Sequence, residues 1–126
     1  MNQQFEARRA NAVRLLADKG VPSWKRVPAF YRFLWSCGIK LRPPHFASWE
    51  ANFFLFGGTV GAAGAIGAWL AITAAGKDTA IIQATVIGIG GLIVNGFSQA
   101  ARHKREAEEH GLPAWDDLPD VAGVFD

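Results

Sequence analysis

Between Ala51 and Ala101 the chain almost lacks charge: Lys77 and Asp78 are the only ionised side chains in that block. A soluble domain spreads charge over every element to hydrate its surface, so this absence excludes an ordinary water-facing bundle. Cysteine is nearly absent as well. Cys37 stands alone, which excludes an internal disulfide framework. The first long apolar run begins near residue 51 and not within the opening residues, so no secretory signal is expected. Histidine is sparse. His45, His103 and His110 have no His or Cys partner at metal-ligand spacing, so neither a metal nor a cofactor is expected. The adjacent acids Glu108 and Glu109, or Asp116 and Asp117, lack a pocket that would separate their pKa values for acid–base work. Cys37 has no neighbouring base in sequence. No catalytic residue is assigned, and the expectation is that the protein is not an enzyme.

What the central block does contain is two long apolar runs. The first, Ala51–Ala75, has only Asn52, Thr59 and Thr73 as polar side chains. At about 1.5 Å per residue it reaches roughly 37 Å, against a hydrocarbon core of about 30 Å. The second, Thr79–Ala101, has no charge, and Gly76, Lys77 and Asp78 form the turn between the runs. Buried helices of soluble bundles run to about half this length and carry a polar face. Strands are disfavoured because an isolated pair leaves backbone groups unpaired in lipid. The fold class read from this pattern is an all-α membrane protein: a transmembrane helical hairpin preceded by an amphipathic, interfacial amino-terminal region.

Charge is asymmetric around that block. Residues 1–50 carry nine Lys or Arg and three acids, and residues 102–126 carry three bases and seven acids. A basic region beside an apolar span suits the anionic lipid leaflet better than nucleic acid, which is not expected as a partner. The basic residues Arg32, Lys40 and Arg42 precede the first span, and Arg102, Lys104 and Arg105 follow the second. The connecting turn has one Lys. The positive-inside rule then puts both termini in the cytoplasm and the turn outside.

Small residues recur along both runs. Gly57, Gly61, Gly64, Ala68, Ala71 and Ala75 follow steps of 4, 3, 4, 3 and 4, and Ala84, Gly88, Gly91, Asn95 and Ser98 follow 4, 3, 4 and 3. Each series lies on one helix face. Inside lipid, close backbone approach is what holds helices together, and small residues permit it. The two stripes are expected to face each other within one hairpin, or one of them to pack against another copy. Gly58, Ala62 and Ala65 supply a second small face for the latter. Gln83, Asn95 and Gln99 are the amides of the second span. They serve either as interhelical hydrogen-bonding groups or as the lining of an oligomeric pore. No ionisable residue lies mid-span to serve a proton relay.

The amino-terminal region reads as a helix over Gln3–Lys19 ended by Gly20, then a short helix from Pro28 to Cys37 ended by Gly38. The second is rich in rings and bases. Phe30, Tyr31, Arg32 and Trp35 are expected at the membrane interface, with Phe33 beside them. The alternative is a small cytosolic subdomain with those rings as its core. Pro43 and Pro44 force an extended segment, and Ser48 is placed to cap the first span. Trp49 and Trp69 suit headgroup depth at its two ends. Residues 102–110 should continue the second helix until Gly111. The acidic tail beyond, with Trp115 as a candidate anchor, either docks on the basic amino-terminal region or is solvated.

The stretch Val27–Leu70 contains VPAFYRFLWSCGIKLRPPHFASWEANFFLFGG and the Gly- and Trp-containing first span. Its proline-led helix with Leu34-Trp35, then Gly38-Ile39, Pro43-Pro44, Phe46 and Asn52, resembles an uncharacterised family of small bacterial inner-membrane proteins, domain of unknown function 6404. The acidic tail departs from that pattern. The resemblance implies a two-span protein of the bacterial inner membrane and supplies no activity. The expected role is structural, scaffolding or regulatory, through lateral helix packing. The partners would be anionic lipid and either further copies of the chain or another membrane protein.

Overall fold

The computed structural model describes residues 3–121. Among them it is entirely helical, with no strand: α1 (Gln3–Asp18), α2 (Ser23–Arg26), α3 (Ala29–Ser36), α4 (Trp49–Ala74) and α5 (Ala80–Glu109), with single 3₁₀ turns at Pro44–Phe46 and Trp115–Asp117. Helix ends follow local chemistry. Ser48 accepts a hydrogen bond from the Ala51 amide at 3.1 Å and starts α4. α1 stops where Gly20 takes φ +80°, which lets the Val21 amide reach back to the Leu16 carbonyl and the Gly20 amide to that of Ala17. The same two bonds close α3, α4 and α5, so one glycine-based device ends all four longer helices.

The described chain forms two compact units. One combines residues 3–47 with 105–121, and the other is 48–104. In the first, α1 buries Ala7, Asn11, Ala12 and Leu16, a spacing of i, i+4, i+5 and i+9 that keeps one face inward. Ala12, Leu16, Val21, Phe46, Trp115 and Leu118 make the core, with Phe5, Leu15 and Leu112 against it. The Trp115 ring lies 5.5 Å from Phe5 and 6.3 Å from Phe46. The acidic tail is therefore docked on the amino-terminal region of its own chain. Apolar packing holds it more than charge does. The Arg8–Asp116 pair is 3.7 Å apart and Asp116 is 80 % exposed, a geometry of small net worth. Buried Asn11 adds specificity by donating its two amide hydrogens to the Pro119 and Val121 carbonyls, at 2.8 and 3.0 Å.

α3 corrects one expectation. Tyr31, assigned to a membrane interface, is 1 % exposed. Burial pushes its phenol well above the ordinary range. Trp35 is half-buried too. Its indole donates to the Leu41 carbonyl at 2.8 Å, and the Arg9 guanidinium stacks 4.5 Å above its ring. Residues 31, 34 and 35 share the inward side at i, i+3 and i+4, so burying Tyr31 turns position 33 outward. Arg32 is exposed and Phe30 partly so. The large rings that do face outward in this unit are Trp24 at 66 % and Phe33 at 65 %.

The second unit is the pair α4 and α5. Both are long and apolar enough to cross a membrane, and only 11 % and 17 % of their most apolar windows are buried within the protein. Ile66, Leu70, Ile81, Ile82, Val86 and Val94 all face outward. A core helix of a soluble protein would bury such residues.

Candidate functional site: the helix contact and the histidine–carboxylate cluster

Two arrangements stand out, one in each unit. The first is the line along which α4 and α5 touch. Gly57, Gly61 and Gly88 all lie on it. A methyl group at Gly57 would collide with the Leu92 carbonyl oxygen and come within 2.9 Å of the Gly96 Cα. At Gly61 it would lie 2.6 Å from the Gly88 carbonyl oxygen, and at Gly88 2.9 Å from the Ala65 methyl. Gly91 sits at the margin, at 3.5 Å from the Gly61 Cα, and Gly64 meets the Ile87 side chain at 3.6 Å. Ala68 is half-buried, while Ala71, Ala75 and Ser98 are exposed.

The contact includes one glycine that the alternating steps of 4 and 3 pass over. Gly96 faces the Phe53 carbonyl oxygen at 2.6 Å for a Cβ placed there. The close residues are Phe53, Gly57, Gly61 and Ala65 on α4, and Gly88, Leu92 and Gly96 on α5, which also buries Ala84 and Ala100. Both sets advance by four. A step of four drifts by about 40° on a helix of 3.6 residues per turn, so helices that keep it cross obliquely.

The polar residues of α5 do not share one face. Asn95 donates from its side-chain amide to the Phe56 carbonyl at 2.9 Å, an interhelical hydrogen bond. Gln99 accepts from Arg102 at 2.6 Å, and Gln83 is exposed. Gln83 and Asn95 are about 120° apart around the helix. At the far end of the contact, buried His103 donates from Nδ1 to the Gln99 carbonyl at 2.7 Å, its ring stacked 5.0 Å from Phe56. Trp49 stacks on Phe53 at 5.3 Å and meets Phe97 edge-on at 5.6 Å, which fixes its ring within the helix pair.

The second arrangement, in the first unit, brings together residues far apart in sequence. The His45 side chain is fully buried, and its Nε2 lies 2.8 Å from Glu106 Oε2. Lys25 Nζ approaches Oε1 of the same carboxylate at 3.4 Å. Each group has its place for a local reason. The Pro43-Pro44 turn holds His45, α2 carries Lys25, and the last turns of α5 carry Glu106. Desolvation lowers the His45 pKa against the opposing pull of Glu106, so the ring is neutral and donates to the carboxylate. For Glu106 burial acts to raise the pKa, but the hydrogen bonds from His45 and Lys25 outweigh it and hold the carboxyl below its usual range. A buried neutral imidazole on an ionised carboxylate, with a lysine closing the third side, is a charge-assisted clamp. Sequence spacing shows no sign of it, since His45 precedes both apolar runs and Glu106 follows them. Cys37 is exposed. Among the described residues no three His, Cys, Asp or Glu side chains gather as a metal site.

No curated protein and no solved structure matches the chain. A family model does, over residues 3–118. The match reaches well beyond the stretch that first suggested it. It takes in α1, the whole of α5 and the tail through Trp115 and Leu118. The same span holds the helix contact and the His45–Glu106 clamp, and the chain belongs to the family of unknown function DUF6404.

Proposed function

We propose that α4 and α5 cross a bacterial inner membrane as a hairpin with both termini in the cytoplasm. In this reading the protein is a structural or scaffolding subunit that associates laterally with its own copies, and its role is not catalytic. The observation that carries the reading is the outward face of the helix pair, where most of two apolar windows lies unburied by the protein itself. Lipid is the solvent that suits such a face. The basic residues on either side of the pair, Arg42 before it and Arg102, Lys104 and Arg105 after it, support the cytoplasmic placement of the termini.

Self-association has a surface available that the hairpin does not use. A methyl group at Gly58 would meet nothing within 4 Å, and Ala62, one turn on, is exposed. Small residues four apart allow a second helix to approach closely. The test is energy transfer between labelled copies in liposomes. Gly58→Leu should lower the associated fraction severalfold while leaving the α4–α5 contact intact. Transfer unchanged by Gly58→Leu and by Ala62→Leu would remove the lateral contact from the proposal.

A further inference from the structure

The outward side of α3 is used by neither the helix pair nor the His45 clamp. With Tyr31 buried, Ala29, Arg32, Phe33 and Ser36 face out, at i, i+3, i+4 and i+7 along one side of the helix. The chain stays at the surface beyond the helix, where Cys37, Gly38, Ile39 and Lys40 are all exposed. Phe33 is 65 % exposed and Ile39 46 %.

Single apolar residues are common on protein surfaces, so exposure alone assigns no partner. The charge around these two does. Residues 19–49 carry six bases and no acid, and Arg32 and Lys40 are the direct neighbours of Phe33 and Ile39. Glu6 shares a hollow with Arg32 but already meets Arg9 at 3.0 Å. Apolar side chains bounded by bases fit a surface that is anionic at its face and apolar just beneath, which describes an anionic lipid leaflet. Chain length points the same way. α3 ends at Ser36 and α4 begins at Trp49. The segment between them reaches at most about 45 Å. A bilayer that holds α4 therefore stays within reach of α3, at high effective concentration.

We propose that the outward side of α3 and the turn after it dock on the anionic cytoplasmic leaflet. Phe33 and Ile39 enter the headgroup layer, and Arg32 and Lys40 meet lipid phosphates. The docking rests on the membrane placement of α4 and α5. It gives the interface to the side of α3 turned away from Tyr31, which belongs to the protein's own interior.

Cys37, the sole cysteine and exposed, supplies the probe. The full chain, labelled there with an environment-sensitive fluorophore, is reconstituted at low protein-to-lipid ratio. The liposomes are phosphatidylcholine alone or with added phosphatidylglycerol, the same in both leaflets, so the direction of insertion does not affect the reading. In the anionic liposomes emission should shift to the blue and be quenched by spin-labelled lipid, and far less so in the neutral ones. Phe33→Ala should lower the docking constant about tenfold and Lys40→Gln about fivefold, while Lys40→Arg should preserve it. Both positions are exposed, so these variants should fold. Carbonate washing of the same liposomes separates the two claims. A chain that stays in the pellet with its probe open to water in both lipid mixtures overturns the docking alone. A chain released by carbonate overturns the placement of α4 and α5 and the docking with it. Shielding that spin-labelled lipid does not quench, and that fades as the chain is diluted in lipid, identifies a second copy as the occupant and also overturns the proposal.

Discussion

Gly61→Leu is expected to break the contact between α4 and α5 at a cost of about 3 kcal/mol, the upper end of what overpacking does in a tight interior. The reason is that its neighbours cannot yield. Even the first carbon would stand 2.6 Å from a backbone oxygen, that of Gly88, and 3.1 Å from the Leu92 amide nitrogen. Flexible side chains can rotate away from such a clash, but helix backbone can only retreat as a body. Retreat of α5 would also pull the Phe56 carbonyl away from Asn95 and open the stack of Trp49 on Phe53 and Phe97. Gly57→Ala and Gly96→Ala should act in the same direction, each by about 1–3 kcal/mol. Gly67→Ala and Gly90→Ala supply the contrast, since a methyl group there meets nothing within 4 Å. Alanine favours helix over glycine, so these two should be neutral or slightly stabilising. An SDS titration followed by fluorescence and circular dichroism separates the two groups. If all five glycines respond alike, the contact line has been misplaced.

Glu106→Ala should destabilise the first unit by about 1–3 kcal/mol, the cost of leaving a buried hydrogen-bond donor without its acceptor. The substitution leaves the fully buried His45 imidazole and the Lys25 ammonium without the carboxylate they share. Acid should act on the same clamp in two stages. The folded pKa of His45 is depressed, so its contribution is complete above the ordinary histidine range near 6.5 and is lost as pH falls below it. Glu106 is also depressed, so its contribution is lost further down, as pH falls through and below the usual carboxylate range. Both signs agree: the unit weakens on acidification. Glu106→Gln should keep the upper stage, which belongs to His45, and abolish the lower one. Protection factors for the Leu16 and Leu118 amides across pH 2.5–8 read both stages, and a flat profile in the unaltered protein would contradict the clamp.

Local signals carried much of this architecture. Glycine at 20, 38, 76 and 111 marks where helices must end because each position needs positive φ. Ser48 marks where α4 begins. The uncharged length of the two runs identifies α4 and α5, although the helices extend to Trp49 and to Glu109. Gly57, Gly61 and Gly88 were legible because small residues four apart are rare without a packing reason. The register of α5 was less so. Steps of 4 and 3 describe a seam that runs straight along the helix, and they favour Gly91, Asn95 and Ser98. The actual contact advances by four and so reaches Leu92, Gly96 and Ala100. Sequence periodicity alone does not say at what angle two helices cross. Tyr31 failed for a related reason. An amphipathic aromatic helix has an apolar side, but composition does not reveal whether lipid or the protein itself will cover it, and Tyr31 is buried within the protein. The His45–Glu106 clamp was invisible because its members lie on opposite sides of the two apolar runs, too far apart for any spacing to read.

The membrane reading of α4 and α5 underlies the orientation and the lateral association, and alkaline carbonate extraction of cell membranes tests it most directly. The full chain should remain in the membrane pellet at high pH and leave it only with detergent. Recovery of the chain in the carbonate supernatant as a detergent-free monomer would contradict that reading.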